Sequence, residues 1–399
     1  MGSLVASLFL LAGIFFIGYH YSQYQFAARD NIAHGYSKDI ELSYRGEFTD
    51  NKIRQIIEDD LKKFQERELS DDGSWKEKGE PWLFHPFYLF TEQISDVFVK
   101  DARHLYEKQM ERVKKGKMLT IEDIEVRSIK DLGFKEFGKP LQIGNYAPWL
   151  DLYKVQGNVS ILVSVLVILV CSLIFSGDKA KNMNQVLLTT KYGRNRLIKA
   201  KIGVVFLLTI VLFIVFQMVT YFVFSSMYDT SGWSSSIQTN LDLGLFSFPL
   251  EWNHLQVYFW FLCLQFTGLL FTAGVTLLMS SLLNSPLSVL SFSISLYLFP
   301  YFLAQIFREG LAQKLLYLFP INQQSVGKLL GLFASNREYF FQDFIINSLC
   351  VFSFLIGLAL LLKRSSYLPV KFFRKSKSFS QIGSSFTSWK IKSSKVRNS

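Results

Sequence analysis

The sequence predicts an all-α membrane protein: six transmembrane helices, with a mainly helical extracytoplasmic domain between spans 1 and 2. Three observations predict it. Half of the 399 residues are hydrophobic, and 39 residues are Phe. The apolar residues gather into runs of about twenty, the length that crosses about 30 Å of hydrocarbon at about 1.5 Å per residue. The excess of Lys and Arg over Asp and Glu is concentrated in two short regions.

The apolar runs are residues 4–19, 159–175, 203–226, 255–283, 287–307 and 344–362. The first begins almost at Met1. No Lys or Arg precedes it and no small-x-small cleavage site follows, so it reads as an uncleaved anchor and not as a signal peptide. Cys171, Cys263 and Cys350 all lie inside runs, so no disulfide framework is expected in the exposed parts.

Residues 20–156 form the only sizeable polar region, long enough for a core of its own. It holds 22 Lys or Arg and 25 Asp or Glu, so the net charge of +11 arises elsewhere. The 175–202 loop holds seven Lys or Arg and one acid, Asp178; the tail 363–399 holds ten and no acid. The loop 225–254 holds Asp229, Asp242 and Glu251 and no Lys or Arg. Short loops rich in Lys and Arg stay on the cytoplasmic side. The expected topology therefore has both termini and the loop 176–201 inside, with residues 20–156 and 225–254 outside. A multi-pass plasma-membrane protein follows, with domains at 1–19, 20–156, 157–362 and 363–399.

Within the polar region, residues 51–67 place Ile53, Ile56, Ile57, Leu61 and Phe64 on one helical face. Residues 91–117 repeat the pattern with Ile94, Val97, Phe98, Leu105 and Val113. The aromatic stretch EPWLFHPFYLF, residues 80–90, reads as a linker packed on these helices; gripping a ligand or dipping into the membrane interface is the other reading. Residues 311–333, within an extracytoplasmic segment 308–341, form an amphipathic piece broken at Pro320.

Motifs for chemistry are sparse. The P-loop pattern is missing: Gly116-Lys117 is followed by Met118 and lacks the upstream glycine that would cradle phosphates. His20, His34, His85, His104 and His254 are scattered without metal-ligand spacing. Asp59-Asp60 and Asp71-Asp72 sit in charged stretches that read as solvated. None of the six runs contains Asp, Glu, Lys or Arg, which argues against ion coupling and intramembrane hydrolysis. The polar residues within the runs are neutral: Gln217, Gln265, Thr267, Thr272 and Gln305, candidates to line a translocation path or to bond between helices. Energy for any transport would come from another chain.

The loop FSGDKAKNMNQVLLTTKYGRNRLIKAKI, residues 175–202, is expected to open a helix near Asp178, whose charge suits a helix N-terminus. Met183, Val186, Leu187 and Thr190 form its apolar face. Gly193 breaks it, and Arg194, Arg196, Lys199 and Lys201 follow. The apolar face has two readings: the inner leaflet, with Lys and Arg at lipid phosphates, or a groove on a cytoplasmic partner.

Asp178, Leu187-Leu188-Thr189-Thr190, Gly193-Arg194 and Lys201 resemble the first cytoplasmic loop of type-2 ABC exporter permeases, especially the form common in Gram-positive bacteria. The resemblance is specific over about 30 residues and architectural elsewhere. It implies that the helix is a coupling helix docking on a separate ATPase dimer, with ATP and Mg bound there and no catalytic, cofactor or metal site in this chain. It also implies pairing with a second copy or a paralogue. The chain departs from the family in starting directly at span 1, which implies either a trimmed start or no preceding amphipathic helix. It also lacks the glycine after the acidic start. Its large domain is similar to those of peptide- and drug-export relatives. The implied substrate is a hydrophobic or amphipathic peptide, lipid or drug. A mechanotransmitting or peptide-sensing immunity protein working through the domain is the alternative. The basic tail, with Lys371, Arg374, Lys375 and Lys377, is expected on anionic lipid. No nucleic-acid partner is expected.

Overall fold

The structure, a computed structural model, describes residues 2–28, 44–65, 67–69, 75–77, 86–115, 117, 119–183 and 196–333. It is mostly helical. The elements in order are α1 (Gly2–Ala28), β1 (Gly46–Glu47), α2 (Asp50–Gln65), β2 (Arg67–Leu69), β3 (Trp75–Glu77), α3 (Pro86–Phe98), α4 (Leu105–Lys114) and β4 (Gln142–Ile143). They continue with α5 (Ala147–Ala180), α6 (Arg196–Met227), α7 (His254–Leu282), α8 (Pro286–Ile306), α9 (Gly310–Tyr317) and α10 (Val326–Phe333). Five helices, α1, α5, α6, α7 and α8, are long and apolar enough to cross a membrane. The sixth apolar run, 344–362, and the basic tail lie outside the described residues.

Residues 44–146 build a separate core. In α2, Ile53, Ile56, Ile57 and Leu61 are buried, as the helical period requires. They meet Ile94 and Phe98 of α3, with Phe48, Phe134 and Ile143. Each fully buried Ile adds about 1.5–3 kcal/mol over exposure. Thr49 caps α2 by accepting from the Lys52 N–H at 3.3 Å.

Two expectations are corrected here. Asp59 and Asp60 are not merely solvated: Asp59 accepts from the Tyr44 hydroxyl at 2.7 Å, and Asp60 accepts from Thr91 (2.6 Å) and Ser95 (3.1 Å) of α3. Burial, then Asp59, pushes the Tyr44 phenol above its ordinary range. The periodic run 91–117 is two helices, not one. At Val99 the chain bridges to Val126, Lys100 N–H donates to the Glu125 carbonyl, and Arg127 N–H to the Phe98 carbonyl. Those bonds take the backbone groups that a continuous helix would use. The end of the aromatic stretch, residues 86–90, opens α3, and residues 80–85 lie outside the described residues. Strands β1 and β4 pair antiparallel, as do β2 and β3.

The loop after α6 belongs to this domain. It forms three 3₁₀ turns, Ser231–Ser234, Ile237–Thr239 and Leu241–Leu243, the second of which bonds to β4. Ser236 N–H donates to the Gln142 carbonyl (2.8 Å), Gln142 N–H donates to Ser236 Oγ (2.9 Å), and Leu241 joins the domain core. Gly232 is forced by sterics: a Cβ there would lie 1.8 Å from the Asn145 carbonyl oxygen.

In the bundle, α5 is central and packs against α1, α6, α7 and α8. Its Val155, Val159, Val163, Leu166 and Cys171 form a core with Val205 and Phe216 of α6 and Phe261, Leu269 and Leu277 of α7. The piece after α8 is broken at Pro320, as its sequence predicts, and folds back onto the bundle. Pro320, Ile321, Asn322 and Gln323 are buried. Asn322 Nδ2 donates to the carbonyls of Pro300 (3.1 Å) and Leu316 (2.9 Å). The close approach needs Gly157 of α5, where a Cβ would meet the Gln324 carbonyl oxygen at 2.6 Å. The helices thus have two ends. The domain, the 228–253 loop and α10 share one; the α5–α6 connection and the α7–α8 turn share the other.

Candidate functional site

Two polar constellations stand out in the bundle, one at mid-helix and one at the end far from the domain. At mid-helix, Gln217 of α6 and Gln265 of α7 are buried and converge on Gln156 of α5. Gln156 Nε2 donates to Gln217 Oε1 and to Gln265 Oε1 (3.0 Å), and Gln265 Nε2 donates to the Gln156 carbonyl (3.3 Å). This leaves Gln156 Oε1 and Gln217 Nε2 buried without a partner among the described residues. One acceptor and one donor in an apolar core suit a neutral group that can do both: a water, a hydroxyl or an amide. A third buried orphan, Gln323 Oε1, comes from the fold-back segment and lies against Gly268, one turn along α7 from Gln265.

Gln156 is not among the sequence candidates: the apolar run starts at Val159, and Gln156 falls on the polar side of that boundary. The missed signal is helical spacing: Gln156 sits one turn before Val159 and two turns before Val163, on the stripe that α5 buries.

The other predicted path residues do not join the cluster. Thr272 is buried, but its hydroxyl donates to its own helix at the Gly268 carbonyl (3.0 Å), and Thr267 does the same at Leu264 (2.8 Å). Gln305 is exposed near the end of α8, where its carbonyl accepts from Arg308 Nε.

At the far end, Asp178 is not at a helix start. It lies in the last turn of α5, which continues to Ala180. The helix closes with a Schellman pattern: Met183 N–H bonds to the Asp178 carbonyl (2.9 Å), Asn182 N–H to the Lys179 carbonyl (3.0 Å), and Asn182 takes φ 55°. An acid at a helix C-terminus opposes the macrodipole, and Lys201 of α6 compensates it. Lys201 Nζ pairs with the Asp178 carboxylate, donates to the Ile174 carbonyl (2.7 Å) and lies 5.1 Å from the Phe175 ring centre. Lys179 reaches across to the end of α7, donating to the carbonyls of Ser281 and Leu283, which lack helical partners there. Ser280 Oγ of α7 accepts from the N–H groups of Phe175 and Ser176 (3.1 Å each) and donates to the Ser172 carbonyl (3.1 Å). The end of α5 is therefore tied to α6 by an ion pair and to α7 by lysine and serine bonds.

Of the remaining loop residues, Met183 is exposed just past the cap and Arg196 opens α6. Val186, Leu187, Thr190, Gly193 and Arg194 lie outside the described residues. Among the described residues no three His, Cys, Asp or Glu side chains gather as a metal site. His254 is fully buried and serves the packing of α5 on α7: its ring stacks with Trp149 and Tyr153, and Nδ1 lies 2.9 Å from the Tyr153 hydroxyl. No protein-family model, no curated protein and no solved structure matches the chain.

Proposed function

We propose that the chain is the membrane-spanning subunit of an ATP-driven ABC exporter, moving a hydrophobic or amphipathic peptide, lipid or drug outward. Residues 344–362 complete a sixth span. Both termini and the 176–201 loop face the cytoplasm, and the domain with the 228–253 loop faces outward. A second copy or a paralogue pairs with it in the cell membrane. A cytoplasmic ATPase dimer, holding ATP and Mg, docks on the loop through Val186, Leu187 and Thr190, and Arg194 and Arg196 contact the ATPase or anionic lipid.

The observation that carries this reading is the base of that loop. Asp178–Lys201 joins α5 to α6, and Lys179 joins α5 to α7. A push on the loop therefore acts on three helices at once, which is the mechanical requirement for coupling two global states. The neutral glutamine cluster supports it further. It joins the same three helices, its hydrogen bonds can exchange partners without moving charge, and its neutral amides suit an amphipathic cargo.

Purification of the full chain from its native membrane should recover an ATPase subunit. The double variant Val186→Asp/Leu187→Asp should lose that subunit while inserting and folding normally. Recovery with no ATPase from the wild-type chain sinks the reading, and unchanged assembly of the double variant assigns the apolar face to lipid.

One observation favours a second reading, in which the domain works on an outside partner without translocating a substrate. Helix α5 runs unbroken from the domain into the bundle, so movement at one end reaches the other directly. Stimulated ATPase activity on adding an outside peptide, with no uptake of that peptide into inverted vesicles, would select it.

A further inference from the structure

A cleft of about 720 Å³ opens between the end of α8 and the fold-back pair α9 and α10. Its lining includes Gln305, Arg308, Glu309, Gln313, Lys314 and Lys328. Three cations against one carboxylate give it an excess positive charge. Among the described residues, neither Arg308 nor Lys328 forms an ion pair. The Gln305 and Gln313 amides add neutral donors. Arg308 Nε donates to the Gln305 carbonyl at 3.1 Å, which folds the guanidinium back over the end of α8. A guanidinium retains further N–H groups in a fork that matches phosphate oxygens.

The surroundings of the cleft are apolar and exposed. Ile306 and Leu311 are more than 70% accessible, and Phe302, Phe307 and Leu315 are about half accessible or more. Phe302 and Ile306 lie on α8, which is long and apolar enough to cross a membrane, where such residues face acyl chains, and Leu311 and Leu315 of α9 extend that apolar surface. A basic recess bordered by lipid-facing side chains at the end of a span is the arrangement that takes a charged headgroup above its chains. The volume is also in the range of small-ligand sites.

We propose that this cleft binds the anionic phosphate headgroup of a membrane lipid, with the acyl chains lying along the exposed apolar sides of α8 and α9. The charge selects anionic lipid over zwitterionic lipid, because a choline would add a cation to a site that already holds three. The inference stands on the membrane character of the helices and not on the exporter reading.

The test uses the full chain in lipid nanodiscs with a photoreactive phosphatidylglycerol analogue, cross-links being mapped by mass spectrometry. Cross-links should concentrate in residues 302–332. A lysine or arginine at a lipid surface contributes about 1 kcal/mol, or about fivefold. Arg308→Ala/Lys328→Ala should therefore cut these cross-links about 25-fold, and a phosphatidylcholine analogue should label the region weakly in both proteins. The charge-keeping Arg308→Lys/Lys328→Arg should preserve labelling, which guards against loss of fold in the alanine variant. Unchanged labelling in the alanine variant overturns the proposal, as does loss in the charge-keeping one. Displacement of the lipid by inorganic phosphate at comparable concentration would make this a free-anion site and overturn the lipid assignment.

Discussion

The two ends of α5 are held by different physics. At the domain end the contacts are mainly steric and neutral: Trp149 and Tyr153 stack with His254, and the 228–253 loop closes over Asn145 at Gly232, with one carboxylate, Asp151, accepting from the Tyr228 hydroxyl. At the far end the contacts run through the charges of Asp178, Lys179 and Lys201 and the hydroxyl of Ser280. Packed contacts of the first kind have one good arrangement and lose much when disturbed. Charged side chains on long stems can exchange partners at small cost. The difference assigns rigidity to the domain end and rearrangement to the end that meets the α5–α6 loop.

Three changes test that contrast. The largest effect is expected at Gly232. Gly232→Val places carbon against the Asn145 carbonyl, where backbone must move, and should cost about 3 kcal/mol or more. Thermal unfolding of the detergent-solubilised chain reads it, and a midpoint within a degree of wild type would break the rigid-end argument. Next is the cluster between the two ends. Gln156→Leu leaves the Gln217 and Gln265 carbonyls without their donor and should cost about 1–3 kcal/mol. Replacing all three glutamines by Leu should recover most of that loss, since none of the three amides is then left unpaired. If the triple variant is as unstable as the single one, the cluster is held by shape and not by hydrogen bonding. The smallest effect is expected at Asp178. Asp178→Asn should cost about 1 kcal/mol, shrinking as salt is added, because the carboxylate is partly exposed. A double-mutant cycle with Lys201→Met gives the coupling, and a salt-independent value would assign the far end to rigid packing as well.

Much of this architecture is legible in the sequence, and the misses have physical causes. The apolar runs from 159 to 307 are helices because length and composition suffice for a membrane span. Ile53, Ile56, Ile57 and Leu61 are buried because a 3.6-residue period has one solution. Pro320 breaks its helix for want of an N–H. Asp178 misleads because an acid before an apolar stripe is a helix-start signal; the stop signal was Asn182, which a left-handed cap tolerates and which outweighs it. The run 91–117 looks continuous because helical periodicity cannot reveal that Val126, far along the chain, captures the backbone at Val99. Gln156 was hidden by hydropathy: a window that looks for apolar residues discards the polar residue a helix buries on purpose. The Gln217 and Gln265 pairing was readable only as residue type, since which polar span residues meet depends on helix rotation.

The length of α5 has a consequence of its own. At 34 residues without an internal proline, it measures about 51 Å from domain to loop. A rod of that length, tilted by about 5° about its fixed end, carries its free end through about 4 Å. That displacement is about the reach over which an ion pair is made or broken. A change in tilt too slight to disturb the stacked rings at one end is therefore enough to exchange the partners of Asp178 and Lys179 at the other.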